Sequence, residues 1–156
     1  MVWNGMRTGV GKLALVWILA LSAACGAGDA GLAPNPEVSP LVGDWEATAV
    51  VITSVANPDI APDLIALGAT FTLNVQPSGQ YTVILLYAGQ ASTEIGILSV
   101  SGNVVTLNRS FPTHETSTAV YTLVGNRLTL DGDTRFDFNL DGTSEAALGH
   151  FEMERR

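Results

Sequence analysis

The densest group of side chains able to do chemistry is Asp131, Asp133, Asp137, Asn139, Asp141 and Glu145. Within it, Asp137-x-Asn139-x-Asp141-Gly142 has the alternating Asp/Asn spacing and central glycine of a calcium loop, where oxygens converge on a hard cation and glycine permits the sharp turn. A full twelve-residue loop ends on a bidentate glutamate, and here that position is Leu148. The same residues also read as the solvent face of a strand, Asp137 and Asn139, running into an Asp141-Gly142 hairpin turn. Both readings stand from the sequence: a weak Ca2+ site on Asp137, Asn139 and Asp141, or a turn. No other cofactor is indicated.

Signals for catalysis are sparse. The only two histidines, the residue type suited to proton transfer near neutral pH, are His114 and His150, and neither a Gly-x-Ser-x-Gly nor a His-Glu-x-x-His arrangement occurs. His114 lies in the loop-like Pro112-Thr113-His114-Glu115-Thr116 and His150 in a strand run, so both read as solvated or satisfied histidines. Serines and threonines are plentiful, yet none has a visible base beside it. The chain is expected not to be an enzyme.

The one cysteine, Cys25, excludes an intramolecular disulfide and sits at the end of an export-like leader. Residues 1–24 carry Arg7 and Lys12, then the apolar run Leu13 to Leu21, then small residues. That charged, apolar, small order is a secretory signal, and the apolar run is short for a membrane span. Leu21-Ser22-Ala23-Ala24-Cys25 resembles the lipobox of bacterial lipoproteins, in which the cysteine is lipidated and becomes the mature N-terminus, although Ser22 stands where the large aliphatic residue usually does. The resemblance implies a protein anchored in the bacterial cell envelope by acyl chains on Cys25; the alternative is a plain signal cleaved near Ala24. Loss of residues 1–24 removes Arg7 and Lys12 and leaves five arginines against 15 acids, a net charge near −10 (5 minus 15). A surface of that sign repels phosphate backbones, so nucleic acid is excluded as a partner, and membrane attachment must come from the lipid.

Residues 25–40 are rich in Gly, Ala, Pro and Asn and read as a flexible linker. After it, Val42 to Val55 is β-branched and apolar. Pro62, Asp63 and a terminating Gly68 then predict one short helix after the first strand. From Ala69 onward short alternating runs are punctuated by turns. Val100-Ser101-Gly102-Asn103-Val104-Val105-Thr106-Leu107 and Leu123-Val124-Gly125-Asn126-Arg127-Leu128-Thr129-Leu130 repeat one signature, a Gly-Asn pair between two strand runs, as a type II′ hairpin requires. Two successive hairpins of one design argue for an up-and-down meander. The expected fold is all-β: a single up-and-down antiparallel β-barrel of about eight strands, residues 41–154. At that size the interior is either filled by side chains or holds one small ligand.

Gly43-Asp44-Trp45 and the Ser-Val-Ser-Gly-Asn turn together resemble the lipocalin barrel and the bacterial lipocalin-like domains that occur as lipoproteins. The resemblance covers about residues 41–154. It implies a calyx whose closed end holds Trp45 beside Gly43, under an arginine from a late strand, with Arg155 the first candidate and Arg127 the second. The Thr-Asp-Tyr motif of that family is missing, so its ligand class does not carry across. One parity along each run offers Phe71, Leu73, Val75, Val83, Leu85, Tyr87, Ile95 and Ile97 as walls of a ligand cavity. The leading expectation is a membrane-tethered barrel that binds or carries a small apolar molecule. The alternative is a non-enzymatic envelope structural or interaction module, a packed barrel with a protein partner, one form of which is an inhibitor.

Overall fold

The structure is a computed structural model that describes residues 32–139 and 141–156. Cys25, the 1–24 segment and Leu140 lie outside the described residues. Among the described residues, eight antiparallel strands close into one barrel in the order of the chain. They are β1 (Gly43–Ser54), β2 (Thr70–Val75), β3 (Gln80–Tyr87), β4 (Gln90–Ser101), β5 (Val104–Phe111), β6 (Glu115–Val124), β7 (Arg127–Phe136) and β8 (Glu145–Arg155). β8 returns to β1 with Trp45 opposite Arg155. Closure pairs every strand on both sides and leaves no edge to template aggregation.

The meander follows from the turns. At the β4–β5 and β6–β7 connections Ser101 pairs with Val104 and Val124 with Arg127, so each loop is two residues long. Gly102 and Gly125 both have φ of +62° while neither asparagine has positive φ, the pattern of a type II′ turn, whose twist matches that of the flanking strands.

Two local expectations are corrected. No helix forms over Pro62–Gly68. The Leu67 N–H bonds the Asp63 carbonyl in a single helical turn, and the Leu64 N–H is drawn instead to the Val50 carbonyl. The segment runs beside the upper half of β1, with Asp63 bridged to Val51 and the Asp63 carboxylate accepting from the Val50 N–H at 3.0 Å. β1 pairs with β2 only from Gly43 to Glu46, and sheet-like bonds to this segment satisfy the rest of its edge better than a helix would. Secondly, the folded unit starts before residue 41. Pro36–Leu41 form a 3-10 helix capped by the Asn35 side chain, with Val38 and Leu41 fully buried across the end of the barrel.

The core is continuous from that end upward. Trp45, Val75, Leu98, Val100, Val105, Leu128 and Met153 are buried around it, and Phe71, Leu73 and Leu130 continue it toward the middle.

Candidate functional site

At the closed end Trp45 is 1% exposed and donates its indole N–H to the Leu41 carbonyl at 2.8 Å. The Arg155 guanidinium lies 4.5 Å from the indole centroid, and its Nη2 donates to the Pro40 carbonyl at 2.7 Å. Its Nε is buried with no hydrogen-bond partner, and the group is held by the Pro40 bond together with its stack on the ring. Gly43, at φ of +137°, brings the start of β1 against the Arg155 side chain. Arg127 points outward and pairs with Glu154, away from the indole. Trp45, Arg155 and Gly43 together plug the barrel, and Arg127 takes no part.

Above the plug a small apolar cavity of about 150 Å3 remains, walled by Phe71, Leu73, Val83, Leu98, Leu107, Ala119, Leu130 and Phe151. It opens past Glu94, Ser117 and Thr134 into a wider polar mouth of about 560 Å3 that Arg109 and Glu115 complete. The cavity floor is apolar because β2, β3, β5, β6 and β7 each turn one alternating set inward.

The mouth holds a charged network. The Tyr81 hydroxyl donates to Glu94 Oε1 at 2.5 Å, and Arg109 Nη1 donates to Glu94 Oε2 at 3.2 Å. Arg109 Nη2 also pairs with Glu115, and its Nε donates to the Thr113 carbonyl. Burial, reinforced by the adjacent Glu94 carboxylate, pushes the Tyr81 phenol far above its ordinary range, so it stays a donor. Both oxygens of Glu94 are thereby fixed, which presents a rigid polar rim over an apolar pocket. Sequence reading passed over these residues, although the signal was present: between Ala69 and Asn126 the only charged residues are Glu94, Arg109 and Glu115.

Of the expected wall residues, Phe71, Leu73 and Val83 line the cavity. Val75 is buried in the closed-end core, and Leu85 and Tyr87 stand higher on β3, where Tyr87 lies 6.2 Å from Phe136 and Phe136 packs edge-on against Phe138. Ile95 and Ile97 are corrected: they face solvent, 43% and 37% exposed. On β4 the inward parity is Glu94, Gly96, Leu98 and Val100. Gly96 faces inward because the Tyr81 ring on the neighbouring strand already fills its place; a Cβ there would stand 2.8 Å from Tyr81 Cε1 and 2.3 Å from the Asn108 carbonyl oxygen.

The acidic hairpin is built by its own backbone. Asp137 accepts from the N–H groups of Asp141 and Gly142, Asn139 Oδ1 accepts from the Asp141 N–H, and Asp141 Oδ1 accepts from the Thr143 N–H at 2.8 Å. That last bond holds the Asp141 carboxyl below its ordinary range. The structure adds Glu145, which accepts from the Phe138 N–H, and brings oxygens of Asp137, Asp141 and Glu145 within 4.8 Å of one another. Leu148, at the last loop position, is on β8 and half exposed. His150 bonds Asp131 at 2.6 Å and Glu152 at 3.3 Å on the outer surface of the barrel, and His114 is exposed. The Asp131 contact raises the His150 pKa above its ordinary value. Comparison with protein-family models, curated proteins and solved structures gave no match.

Proposed function

We propose that this chain is an exported, lipocalin-like binding protein, tethered to the envelope through Cys25, that holds a small ligand with its apolar part inside the barrel and its polar end at the Glu94–Arg109 rim. The observation that carries this reading is the apolar cavity of about 150 Å3 beneath a polar mouth that shares its rim. A dry cavity of that size takes a group about as large as benzene or a short alkyl chain. The ligand is therefore a small aromatic or short aliphatic molecule with a polar end, and long acyl chains are outside its class. No catalytic step is assigned; at the mouth Tyr81, Glu94, Arg109 and Glu115 are engaged by one another.

The test is native mass spectrometry of protein purified from its own host, beside Ala119→Leu, whose added carbons enter the cavity. The expected result is a bound small mass in the parent that the variant loses while its melting remains cooperative. Repeated absence of any bound mass would count against a carrier. The tether has a separate check, because Cys25→Ser should move the protein from the membrane to the soluble fraction.

A second reading, an envelope structural or interaction module, is favoured by the same number. Ligand pockets for drug-sized molecules usually exceed about 300 Å3, and most of this interior is filled.

A further inference from the structure

The distribution of charge around the barrel is lopsided. The chain has 15 acidic and 7 basic residues for a net charge of −8. On β2 to β6 only Glu94, Arg109 and Glu115 are charged, and these three meet one another at the mouth. The outward faces of those five strands, all within the described residues, therefore carry no ionisable side chain. β1, β7 and β8 display instead Asp44, Glu46, Arg127, Asp131, Asp133, Arg135, Glu152 and Glu154. Exposed surface is ordinarily about a quarter to a third charged, so a face of five strands whose outward polar residues are Thr, Ser, Asn and Gln alone is depleted in charge.

Across β3, β4 and β5 of this neutral face lies an apolar patch; Val120 and Val124 on β6 are exposed apolar side chains outside it. Ile95 is directly opposite Phe111 on β5, and Ile84 on β3 lies diagonal to Ile95, opposite Thr93. Leu86 and Ile97 extend the two rows by one outward position each. Ile84, Ile95 and Phe111 are cross-strand neighbours, and Leu86 and Ile97 adjoin Ile84 and Ile95 along their own strands, so the five form one row across the face. Each is between 37% and 53% exposed.

We propose that this face docks a second copy of the same chain about a two-fold axis. Charge selects that occupant. Two molecules of net charge −8 repel wherever their β7, β8 and β1 faces meet, and only the β2 to β6 face lets them approach without opposing carboxylates. Docked through it, each copy keeps its charged strands on the far side of its own barrel, at distances where physiological salt, with a Debye length of about 8 Å, screens them. An isologous contact also needs a patch that complements itself, and an uncharged row of branched aliphatic residues beside one phenyl ring meets that need. An anionic lipid surface is a poorer occupant for a chain of this net charge. The proposal does not rest on the ligand reading, since the patch and the cavity lie on opposite sides of the strands.

Sedimentation equilibrium tests it, on protein carrying Cys25→Ser so that neither acyl chains nor an intermolecular disulfide can join copies. The expected result is a reversible monomer–dimer equilibrium at micromolar concentrations, in the range open to interfaces of modest size. Ile95→Glu places two carboxylates across the axis and should weaken the dimer by at least about a hundredfold. Thr93→Glu, at a position already polar, should do the same and covers the case in which Ile95→Glu does not fold. Thr129→Glu, on the charged side, should leave the equilibrium unchanged. A protein that stays monomeric throughout overturns the proposal, as does a dimer indifferent to both interface substitutions. Monomers that instead pellet with phosphatidylcholine vesicles would show that lipid covers the face, and would equally refute it.

Discussion

Replacing Trp45 by phenylalanine tests whether the closed end is a structural plug. The substitution removes the indole N–H that the Leu41 carbonyl accepts at 2.8 Å and leaves a buried carbonyl without that partner, a cost of about 1–3 kcal/mol. It weakens the stack with Arg155, whose guanidinium lies 4.5 Å from the ring, by about 0.5–1 kcal/mol. It also removes part of a fully buried aromatic side chain, which at about 0.8 kcal/mol per buried carbon adds roughly 1–2 kcal/mol. These overlap, so a loss of about 3–4 kcal/mol is expected, which for a domain of this size lowers the melting midpoint by roughly 10–15 °C. Urea unfolding followed by circular dichroism reads it, with an unchanged slope showing that the same surface is exposed on unfolding. Arg155→Met, alone and combined with Trp45→Phe, closes a double-mutant cycle whose coupling should be about 1 kcal/mol. A single-substitution loss under about 1 kcal/mol with an unchanged slope, or no coupling, would refute the plug. Ligand occupancy should be untouched in every variant that folds, because the cavity lies above the indole.

Gly96→Ala should cost at least about 2 kcal/mol of stability, read as a lower urea midpoint, because its Cβ meets the Asn108 carbonyl oxygen at 2.3 Å and the Tyr81 ring at 2.8 Å; an unchanged midpoint would mean that the β4–β5 register irregularity between Ile95 and Gly96 relaxes freely. In a spectrophotometric pH titration Tyr81 should remain protonated where an ordinary phenol has ionised, and Glu94→Gln should bring its transition down; a normal transition in the parent would sink the mouth network. The raised His150 pKa means that its contact with Asp131 contributes fully below about pH 6.5 and is lost as pH rises through the higher folded value, so stability measured on either side of that window should fall toward alkaline pH. The pair is exposed, so the difference is about a few tenths of a kcal/mol, and Asp131→Asn should flatten it. Millimolar calcium should leave the melting midpoint unmoved, since the backbone N–H groups of the hairpin already occupy Asp137 and Asp141; a rise that grows with concentration would show a native-state site.

The sequence by itself determined the barrel. Alternation along β2, the paired Gly102-Asn103 and Gly125-Asn126 turns and the short connections from β2 to β7 leave little choice but an antiparallel meander, because strand period and turn geometry are local properties. The placement of Trp45 at a strand start after a proline-rich stretch was equally legible. Two nearby features were not. The 3-10 helix at Pro36–Leu41 looks like linker in composition, and only the packing of Val38 and Leu41 over the barrel end orders it. The Pro62–Gly68 segment has helix punctuation, yet β1 offers it hydrogen bonds that a seven-residue helix could not match.

What the tertiary structure alone decided is which side of each strand matters. In β4 both parities are apolar, Ile95 and Ile97 against Leu98 and Val100, so hydrophobicity could not choose the inner face. The choice was made from the next strand, where the Tyr81 ring occupies the volume beside Gly96 and ties the inward Glu94 to Arg109. The larger residues at 95 and 97 were thereby turned out to solvent. Local sequence sets the period of a strand; its phase is set by whichever side chain of a neighbouring strand has already filled the interior.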